Sequence, residues 1–437
     1  MNRLVIKGGR VVDPASNIDG VYNIYIMGGR VASVKKAETD TSEIVQVSPG
    51  LDIIDAEGLL VVPGLIDLHT HLREPGYEYK EDVRTGTMAA AAGGFTTILC
   101  MANTNPVNDN GSVTRYILKK AGEGSGVSVL PAGALSMGLQ GERLTEFAEL
   151  KEAGCVAVSD DGMPVANAGL MRRALEYSRV FNMAVITHAE EPVLSTGVMN
   201  EGKVATRLGL KGTPNAAEDS MVARDITLCE LTGGRLHIAH VSTRGAVELV
   251  RMAKKKGLDV TAEATPHHLT LTDEAVAGYD TNAKMNPPLR SKEDTEALID
   301  GISDGTIDSI ATDHAPHSTI EKDVEFDKAS NGVIGLETAF SVVYGLVKAG
   351  RLTLVDAIRA MTVNPARAIG IDRGAIRVGA SADIAIVDLN KSRVVRAEAL
   401  RSKSKNSPWL GKTLDAVVVK TIVGGKTIYG HGESLKK

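Results

Sequence analysis

The feature that most constrains the fold is a regular alternation of apolar runs and helical patterns through the middle of the chain. Eight short runs read as buried strands, and most of the segments between them have helical spacing of apolar residues. Eight strand–helix units predict an α/β fold with a closed (β/α)8 barrel of the TIM type. The runs are Leu59–Ile66, Thr96–Met101, Val127–Ala134, Val156–Val158, Ala184–Ile186, Leu236–Ala239, Val260–Ala264 and Ile307–Ala311.

Both ends of the sequence have a different pattern, in which short strand-like runs of alternating apolar and polar residues are separated by glycines. The order strand, Gly-Gly and a basic residue occurs at Gly8–Arg10 and again at Gly424–Lys426. We therefore expect one small β-sandwich domain built from both termini, with two independent β extensions as the alternative. The expected division is residues 1–57 and 371–437 for this domain and residues 58–370 for the barrel.

Composition excludes several classes of protein. Lys and Arg total 49 against 54 Asp and Glu, a net charge of −5, so a basic nucleic-acid binder is disfavoured. No apolar stretch has the roughly 18 residues of a membrane span, and the first residues lack the apolar core of a secretory signal. The 3 cysteines are too widely spaced for a thiolate metal site. We expect a cytoplasmic protein that does not bind a membrane.

Polar residues follow the apolar runs where a barrel places its reactive groups. His69 and His71 share a face at the end of one run, because side chains two apart in a strand point the same way. His188, His240 and Asp313 follow three other runs. A histidine pair alone also occurs on solvated turns, but this many buried polar groups need a common partner. A divalent metal suits them, zinc before manganese, cobalt or iron.

Two acidic positions extend this cluster. Asp160-Asp161 follows another run, and a carboxylate there could bridge two cations, although the spacing does not settle which of the pair points inward. The other aspartate would form an Asx turn ahead of Gly162. Asp67 shares the face of His69, and we expect it to orient one of the two histidines.

Two longer motifs carry a family resemblance. Asp67–Gly76 reads DLHTHLREPG and is similar to the first signature of the dihydroorotases, DxHxHxRxPG. Ala311–His317 reads ATDHAPH, with Lys322 five residues later, and is similar to the second. With the ordered His188 and His240, the chain resembles a class I dihydroorotase of the amidohydrolase superfamily over the barrel and both β flanks.

The resemblance implies reversible cyclisation of N-carbamoyl-L-aspartate to L-dihydroorotate, in de novo pyrimidine biosynthesis. It implies one or two zinc ions per subunit, with two favoured, and Asp313 as the residue that transfers the proton. The implied metal ligands are His69, His71 and Asp313 for the more buried ion, His188 and His240 for the second, and Asp161 as the bridge.

Four further residues are expected against the substrate. Arg73 lies two positions after His71 and offers a bidentate fork for a carboxylate. The resemblance adds the other three, two beside the carboxylate and one at the ring edge. Ser318–Gly335 reads as an active-site loop, with Ser330 where family members often carry proline. The substrate-binding set is Arg73, Asn103, Asn286 and His317.

Two other functions remain open. Hydantoinases and allantoinases resemble this layout but use a carboxylated lysine as the bridge, whereas Val156–Gly162 contains no lysine. A silent scaffold subunit would be expected to have lost ligands. The sequence leaves open a homodimer and an association with aspartate transcarbamoylase. Among the other histidines, His237 is expected to be a core residue, and His267 and His268 lie outside the ligand set.

Overall fold

The computed structural model describes residues 3–39 and 51–432; the parts of the predicted terminal segments at 1–2, 40–50 and 433–437 lie outside the described residues. The strands are β1 (Arg3–Asp13), β2 (Ile18–Met27), β3 (Arg30–Lys36), β4 (Leu51–Asp55), β5 (Leu60–Pro63), β6 (Leu65–Thr70), β7 (Phe95–Cys100), β8 (Ser128–Gly133), β9 (Ala157–Ser159), β10 (Ala184–Thr187), β11 (Met199–Asn200), β12 (Gly212–Thr213), β13 (Leu236–Ile238), β14 (Val260–Ala264), β15 (Ser309–Ile310), β16 (Ile384–Val394), β17 (Thr413–Val423) and β18 (Lys426–Gly430).

Helices occupy most of the connections between the strands of the central region. They are α1 (Val83–Ala92), α2 (Gly111–Gly122), α3 (Phe147–Ala153), α4 (Ala168–Ser178), α5 (Lys203–Leu208), α6 (Ala216–Thr232), α7 (Arg244–Lys255), α8 (Pro266–Thr270), α9 (Lys292–Ser303), α10 (Thr319–Lys322), α11 (Ala339–Lys348), α12 (Leu354–Met361) and α13 (Val363–Ile369). No helix in residues 3–39 and 51–432 is long and apolar enough to cross a membrane.

Eight parallel strands form the barrel and confirm the predicted fold. Their order is β6-β7-β8-β9-β10-β13-β14-β15. The ring closes where Thr70 at the end of β6 pairs with His314 beyond β15, and the backbone N–H of His71 donates to the carbonyl of His314 at 2.9 Å. The carboxyl ends of all eight strands therefore meet at one mouth.

Helix α7 shows how the local sequence determines where a helix of the barrel begins and which of its faces is buried. The Thr243 hydroxyl caps the helix by accepting a hydrogen bond from the backbone N–H of Ala246 at 3.1 Å. Ala246, Val247, Val250 and Ala253 form its buried face, at the spacing of a helix packed on one side. This face packs against α6, α9 and β14 and keeps the helix outside the ring.

The terminal strands join into one branched sheet of eight strands. Its order is β18-β17-β16-β5-β1-β2-β3, and β4 pairs with β1. Leu4, Ile6 and Ile24 from the N-terminal side form one apolar cluster with Ile384 and Ile422 from the C-terminal side. Both described ends contribute to this one cluster, so the sheet depends on both.

The run Leu59–Ile66, expected to be a single barrel strand, is two strands. β5 pairs with β16 and β1 in the terminal sheet, and only β6 enters the barrel. The break falls at Gly64, where a Cβ atom would lie 2.1 Å from Oγ1 of Thr96. Periodicity cannot show such a break, because both strands are buried on both faces and read as one apolar run. We propose Gly64 as the boundary between the sheet and the barrel.

We predict that Ile422→Ala destabilises the protein by about 2–5 kcal/mol, since it opens a cavity in the shared cluster. Ile422 is fully buried. The free energy of unfolding from a guanidinium titration measures the effect. Val394→Ala is the control, because Val394 lies in the same sheet but is 43% exposed, and we expect it to change stability by less than about 0.5 kcal/mol. Equal effects of the two changes would contradict a core shared by both ends.

Candidate metal and substrate site

The six predicted metal ligands lie together at the mouth of the barrel, each at or just beyond the end of a strand. All six are buried, with side chains at most 8% exposed. They are His69 and His71 at the end of β6, Asp161 after β9, His188 after β10, His240 after β13 and Asp313 after β15.

His69, His71 and Asp313 form the first group that could hold a cation. Oδ1 of Asp313 lies 3.1 Å from Nε2 of His71 and 3.6 Å from Nε2 of His69. The three ligand atoms all lie within 4.8 Å of one another. This is the set that the family resemblance implies for the more buried ion.

A second group surrounds Oδ1 of Asp161. That oxygen lies 3.2 Å from Nε2 of His69, 3.4 Å from Nε2 of His240 and 3.6 Å from Nδ1 of His188. His188 and His240 present those same nitrogens to each other at 2.9 Å. Oδ2 of Asp161 lies 3.5 Å from Nε2 of His71, so this carboxylate faces both groups.

The donor set fits a divalent metal. Within the described ranges 3–39 and 51–432, the buried atoms Nε2 of His69 and Oδ1 of Asp161 have no hydrogen-bond partner. Buried polar atoms without partners are rare in folded proteins, and here they converge on a common space. Imidazole and carboxylate donors without thiolate suit zinc and other borderline cations.

Electrostatics in the protein alone also points to a bound cation. Burial disfavours the charged form of His69, but the carboxylates of Asp161, Asp313 and Glu263 outweigh burial and raise the pKa of His69 well above its ordinary value. Burial opposes ionisation of Asp161 as well, but the positive charge on His69 holds the pKa of this carboxyl well below its usual range. The cluster needs positive charge, which a metal ion supplies when it replaces protons.

Glu263 is a site residue that the sequence analysis missed. Its Oε1 lies 2.7 Å from Nδ1 of His69 and accepts a hydrogen bond from the backbone N–H of His240 at 3.3 Å. Its Oε2 lies 3.1 Å from Nε2 of His237. A carboxylate in this position fixes the ring orientation of a metal-binding histidine. The available signal was a lone Glu in the buried strand β14, where an unpaired charge is costly.

The expectation for Asp67 is corrected, and the expectation that His237 is a core residue is confirmed and extended. Asp67 does not hold a histidine ring; it accepts hydrogen bonds from the backbone N–H groups of His69 and Thr312, each at 3.0 Å, and so ties β6 to the end of β15. His237 is buried as expected but is more than a packing residue, because it supports Glu263. Register irregularities in β6 explain why simple alternation misplaced Asp67.

The four predicted substrate contacts line one cavity of about 220 Å³ beside the ligands. Oδ1 of Asn103 lies 2.9 Å from Nδ1 of His71, so Asn103 also supports a ligand. Asn286 donates to Oε2 of Glu190 at 2.8 Å, and that oxygen lies 3.2 Å from Nε2 of His188. The contacts that line the cavity are Arg73, Asn103, Asn286 and His317.

Three of these site residues have left-handed backbones without being glycine. The φ angles are 61° at Arg73, 33° at His240 and 45° at Asp313. Residues other than glycine rarely adopt this backbone conformation. It persists where the surrounding structure enforces it, often at functional sites. Here the turn directs each side chain into the mouth of the barrel.

His267 and His268 differ in their surroundings. His268 is held between Oγ1 of Thr265 at 2.8 Å and the carbonyl of Pro287 at 2.9 Å, next to Asn286. Nε2 of His267 is buried without a hydrogen-bond partner in the part of the chain that the structure describes. Burial lowers the pKa of His267 to about 4, so its ring is neutral at pH 7.

The loop Ser318–Gly335 packs over the cavity and is tied down by Lys322. This buried ammonium donates to the carbonyls of Lys284 at 3.2 Å, Ser330 at 2.8 Å and Gly332 at 3.1 Å. The loop therefore contacts the cavity through fixed backbone, and a serine at 330 still supplies a bonded carbonyl.

The chain is similar to known proteins over almost its whole length. The family described as Dihydro-orotase-like matches residues 58–246. Dihydroorotases from Geotalea daltonii and Anaeromyxobacter sp. (strain K) are each 54% identical to this chain, over 98% and 99% of it respectively and 99% of each relative.

The chain belongs to the dihydroorotase family. Solved structures of similar fold include L-hydantoinase from Arthrobacter aurescens, with a TM-score of 0.89, 26% identity and coverage of 100% of this chain and 98% of that one. D-hydantoinase from Thermus sp. has a TM-score of 0.84 and 23% identity over 99% and 97%. The predicted family is confirmed, and the hydantoinases share its fold at about half the identity.

We predict that Glu263→Gln lowers the metal affinity of this protein about 10–100-fold, the usual effect of losing a carboxylate behind a histidine ligand. Competition with a chromogenic chelator measures the affinity. Glu337→Gln is the matched control, because Glu337 is also buried but accepts hydrogen bonds from the backbone of Arg401 and Ser402 instead. Unchanged affinity in Glu263→Gln would remove this residue from the metal site.

Proposed function

We propose that this chain is a dihydroorotase that interconverts N-carbamoyl-L-aspartate and L-dihydroorotate by making and breaking a cyclic amide C–N bond, in de novo pyrimidine biosynthesis. The observation that carries the proposal is one cavity lined by five of the six candidate metal ligands and by the partly buried Arg73, while the sixth, His69, lies directly beside those ligands. The candidate metal ligands favour hydrolytic attack on an amide, and the arginine favours a substrate with a free carboxylate.

The inferred cofactor is Zn²⁺, with two ions favoured. His69, His71 and Asp313 would hold one ion, His188 and His240 the other, and Asp161 would contact both. Bound zinc would lower the pKa of a water molecule and polarise the amide carbonyl. What supports two ions is that the Asp161 carboxylate faces a different histidine set with each oxygen.

Asp313 is the proposed proton carrier. Its carboxylate lies beside His71 and lines the cavity, so it borders both the ligands and the substrate. In ring opening it accepts the proton of the attacking water and delivers it to the ring nitrogen as the C–N bond breaks. In ring closure the same carboxylate takes a proton from the carbamoyl nitrogen and returns it to the departing oxygen.

Arg73 is the proposed anchor for the substrate carboxylate. Its guanidinium has five N–H donors. Nε donates to the carbonyl of Pro316 at 3.2 Å, and Nη2 lies 3.4 Å from Nε2 of His317. These contacts hold the fork at the cavity wall. Asn103 and Asn286 line the same cavity and are proposed to contact the carboxylate and the ring edge.

The hydantoinase and allantoinase alternatives are disfavoured by the residue at the centre of the site. An aspartate, Asp161, occupies the place where the carboxylated lysine of those enzymes is expected, and the segment from Val156 to Gly162 offers no lysine. The scaffold alternative is disfavoured because all six ligands converge.

We also propose a cytoplasmic homodimer. Association with aspartate transcarbamoylase is testable by co-elution of the two proteins in size-exclusion chromatography.

The deciding experiment is turnover of L-dihydroorotate by the zinc-loaded protein alone, with hydantoin and allantoin in parallel assays. Ring opening of dihydroorotate only would establish the proposal and show that no partner is needed. Turnover of hydantoin or allantoin instead would overturn it. Bound zinc without any turnover would favour a scaffold or a partner-dependent subunit.

We predict that Asp313→Asn lowers kcat about 10²–10⁴-fold, because the amide cannot accept the proton, while most of the metal is retained. Steady-state kinetics and metal analysis on the same sample separate the two effects. Asp308→Asn is the control, since Asp308 precedes the same strand at its other end and bonds to Lys254. A kcat close to that of the wild type would contradict the proton-carrier role.

We predict that Arg73→Met raises KM for both substrates about tenfold to a hundredfold, the value of a charge-assisted contact of about 1.5–3 kcal/mol, with a smaller change in kcat. Arg84→Met, on the exposed side of α1, is the control and should change neither constant. An unchanged KM in Arg73→Met would place the carboxylate elsewhere.

A further inference from the structure

The backbone segment Ala315–His317 supports both groups that are proposed to face the substrate carboxylate. His317 belongs to it, and its Nε2 lies 2.8 Å from the carbonyl of Asn331 in the loop. Arg73 is held to it through the carbonyl of Pro316. Any movement of this short segment therefore displaces both carboxylate contacts together.

One side chain from the C-terminal region joins this segment to the loop above it. Asn406 is only 4% exposed and lies 89 positions after His317. Its Oδ1 accepts a hydrogen bond from the backbone N–H of His317 at 3.1 Å. Its Nδ2 donates to the carbonyls of Ala315 and Gly332, each at 3.0 Å. All three side-chain bonds end on backbone that lines the cavity.

The loop residue Gly332 and the segment Ala315–His317, which Asn406 links, are closely packed against each other. Gly332 has a φ of 133°, and a Cβ atom there would lie 2.7 Å from the Cβ of Ala315. The carbonyl of Asn406 also accepts a hydrogen bond from the backbone N–H of Ile334 at 2.9 Å. The loop and the segment are thus in direct contact, and Asn406 closes the remaining side.

We propose that Asn406 is a positioning residue for substrate binding: it fixes the relative placement of His317, Arg73 and the loop around Gly332. This inference rests on the proposed function, because it assigns Asn406 to the carboxylate half of that site. The hydrogen bonds of Asn406 go to backbone atoms of Ala315, His317, Gly332 and Ile334 and not to the candidate metal ligands, so its loss should affect binding of the substrate more than the chemical step.

The test compares Asn406→Ala with the wild type and with Ser404→Ala. Ser404 is the matched control, because it lies two positions before Asn406 and its buried hydroxyl donates to the carbonyl of Lys80 at 2.6 Å rather than to the segment Ala315–His317. We expect Asn406→Ala to raise KM for N-carbamoyl-L-aspartate at least tenfold with kcat within threefold. Ser404→Ala should leave both constants within twofold.

A second readout does not need activity. Hydrogen–deuterium exchange should become faster in peptides covering residues 315–320 and 331–335 of Asn406→Ala, and remain unchanged in Ser404→Ala. Asn406→Asp is a nearly isosteric change that keeps the acceptor for the backbone N–H of His317 but loses both donor hydrogens. It should also raise KM. It replaces Asn406→Ala in the test if that variant does not fold.

The outcomes separate this proposal from the proposed function. Unchanged exchange, or faster exchange with unchanged KM, would overturn the positioning role. An equal rise of KM in Ser404→Ala would overturn it too, because general loosening of the loop would then suffice. A wild type without dihydroorotase activity would overturn both the proposed function and the substrate role, while the exchange data would still decide whether Asn406 joins the two backbone segments.

Discussion

The structure depends on compensating negative charge that is buried at the mouth of the barrel. Asp161, Glu263 and Asp313 are carboxylates removed from water, and each is stable there only with positive charge nearby. The imidazoles around them supply that charge in the protein alone, and a metal ion bound to them would supply it instead. The histidines are therefore needed to bury these acids, in addition to their proposed role as metal ligands.

This requirement explains the shape of the chain around the site. The six candidate ligands come from five different strands, and the barrel brings those strand ends to one place. Converging side chains also demand unusual backbone at the rim, which is where His240 and Asp313 adopt left-handed conformations. Packing of α7 and the other helices outside the ring holds that strained rim in place.

Much of this arrangement was predictable from sequence, because it follows from short-range pattern. Apolar runs with polar ends identify the barrel and place His69, His188 and Asp313 at its mouth. Glu263 was missed because a lone acid inside a strand has no motif, and its partner His69 is 194 positions away. Asn406 was missed for the same reason. The division of the run at Gly64 was missed because two consecutive, fully buried strands in different sheets give the same continuous apolar sequence as one longer strand.

The sheet that joins both ends of the chain has a consequence for synthesis. Val61 of β5 pairs with Ile386 of β16, which the ribosome adds 325 positions later (386 − 61). At about 5–20 residues per second, β5 waits roughly 15–65 seconds for that neighbour, with its hydrogen-bonding edge open. The barrel strands are complete well before then. A newly made chain thus has all eight barrel strands while β5 still lacks its neighbour β16, and an unpaired strand edge favours pairing with other chains.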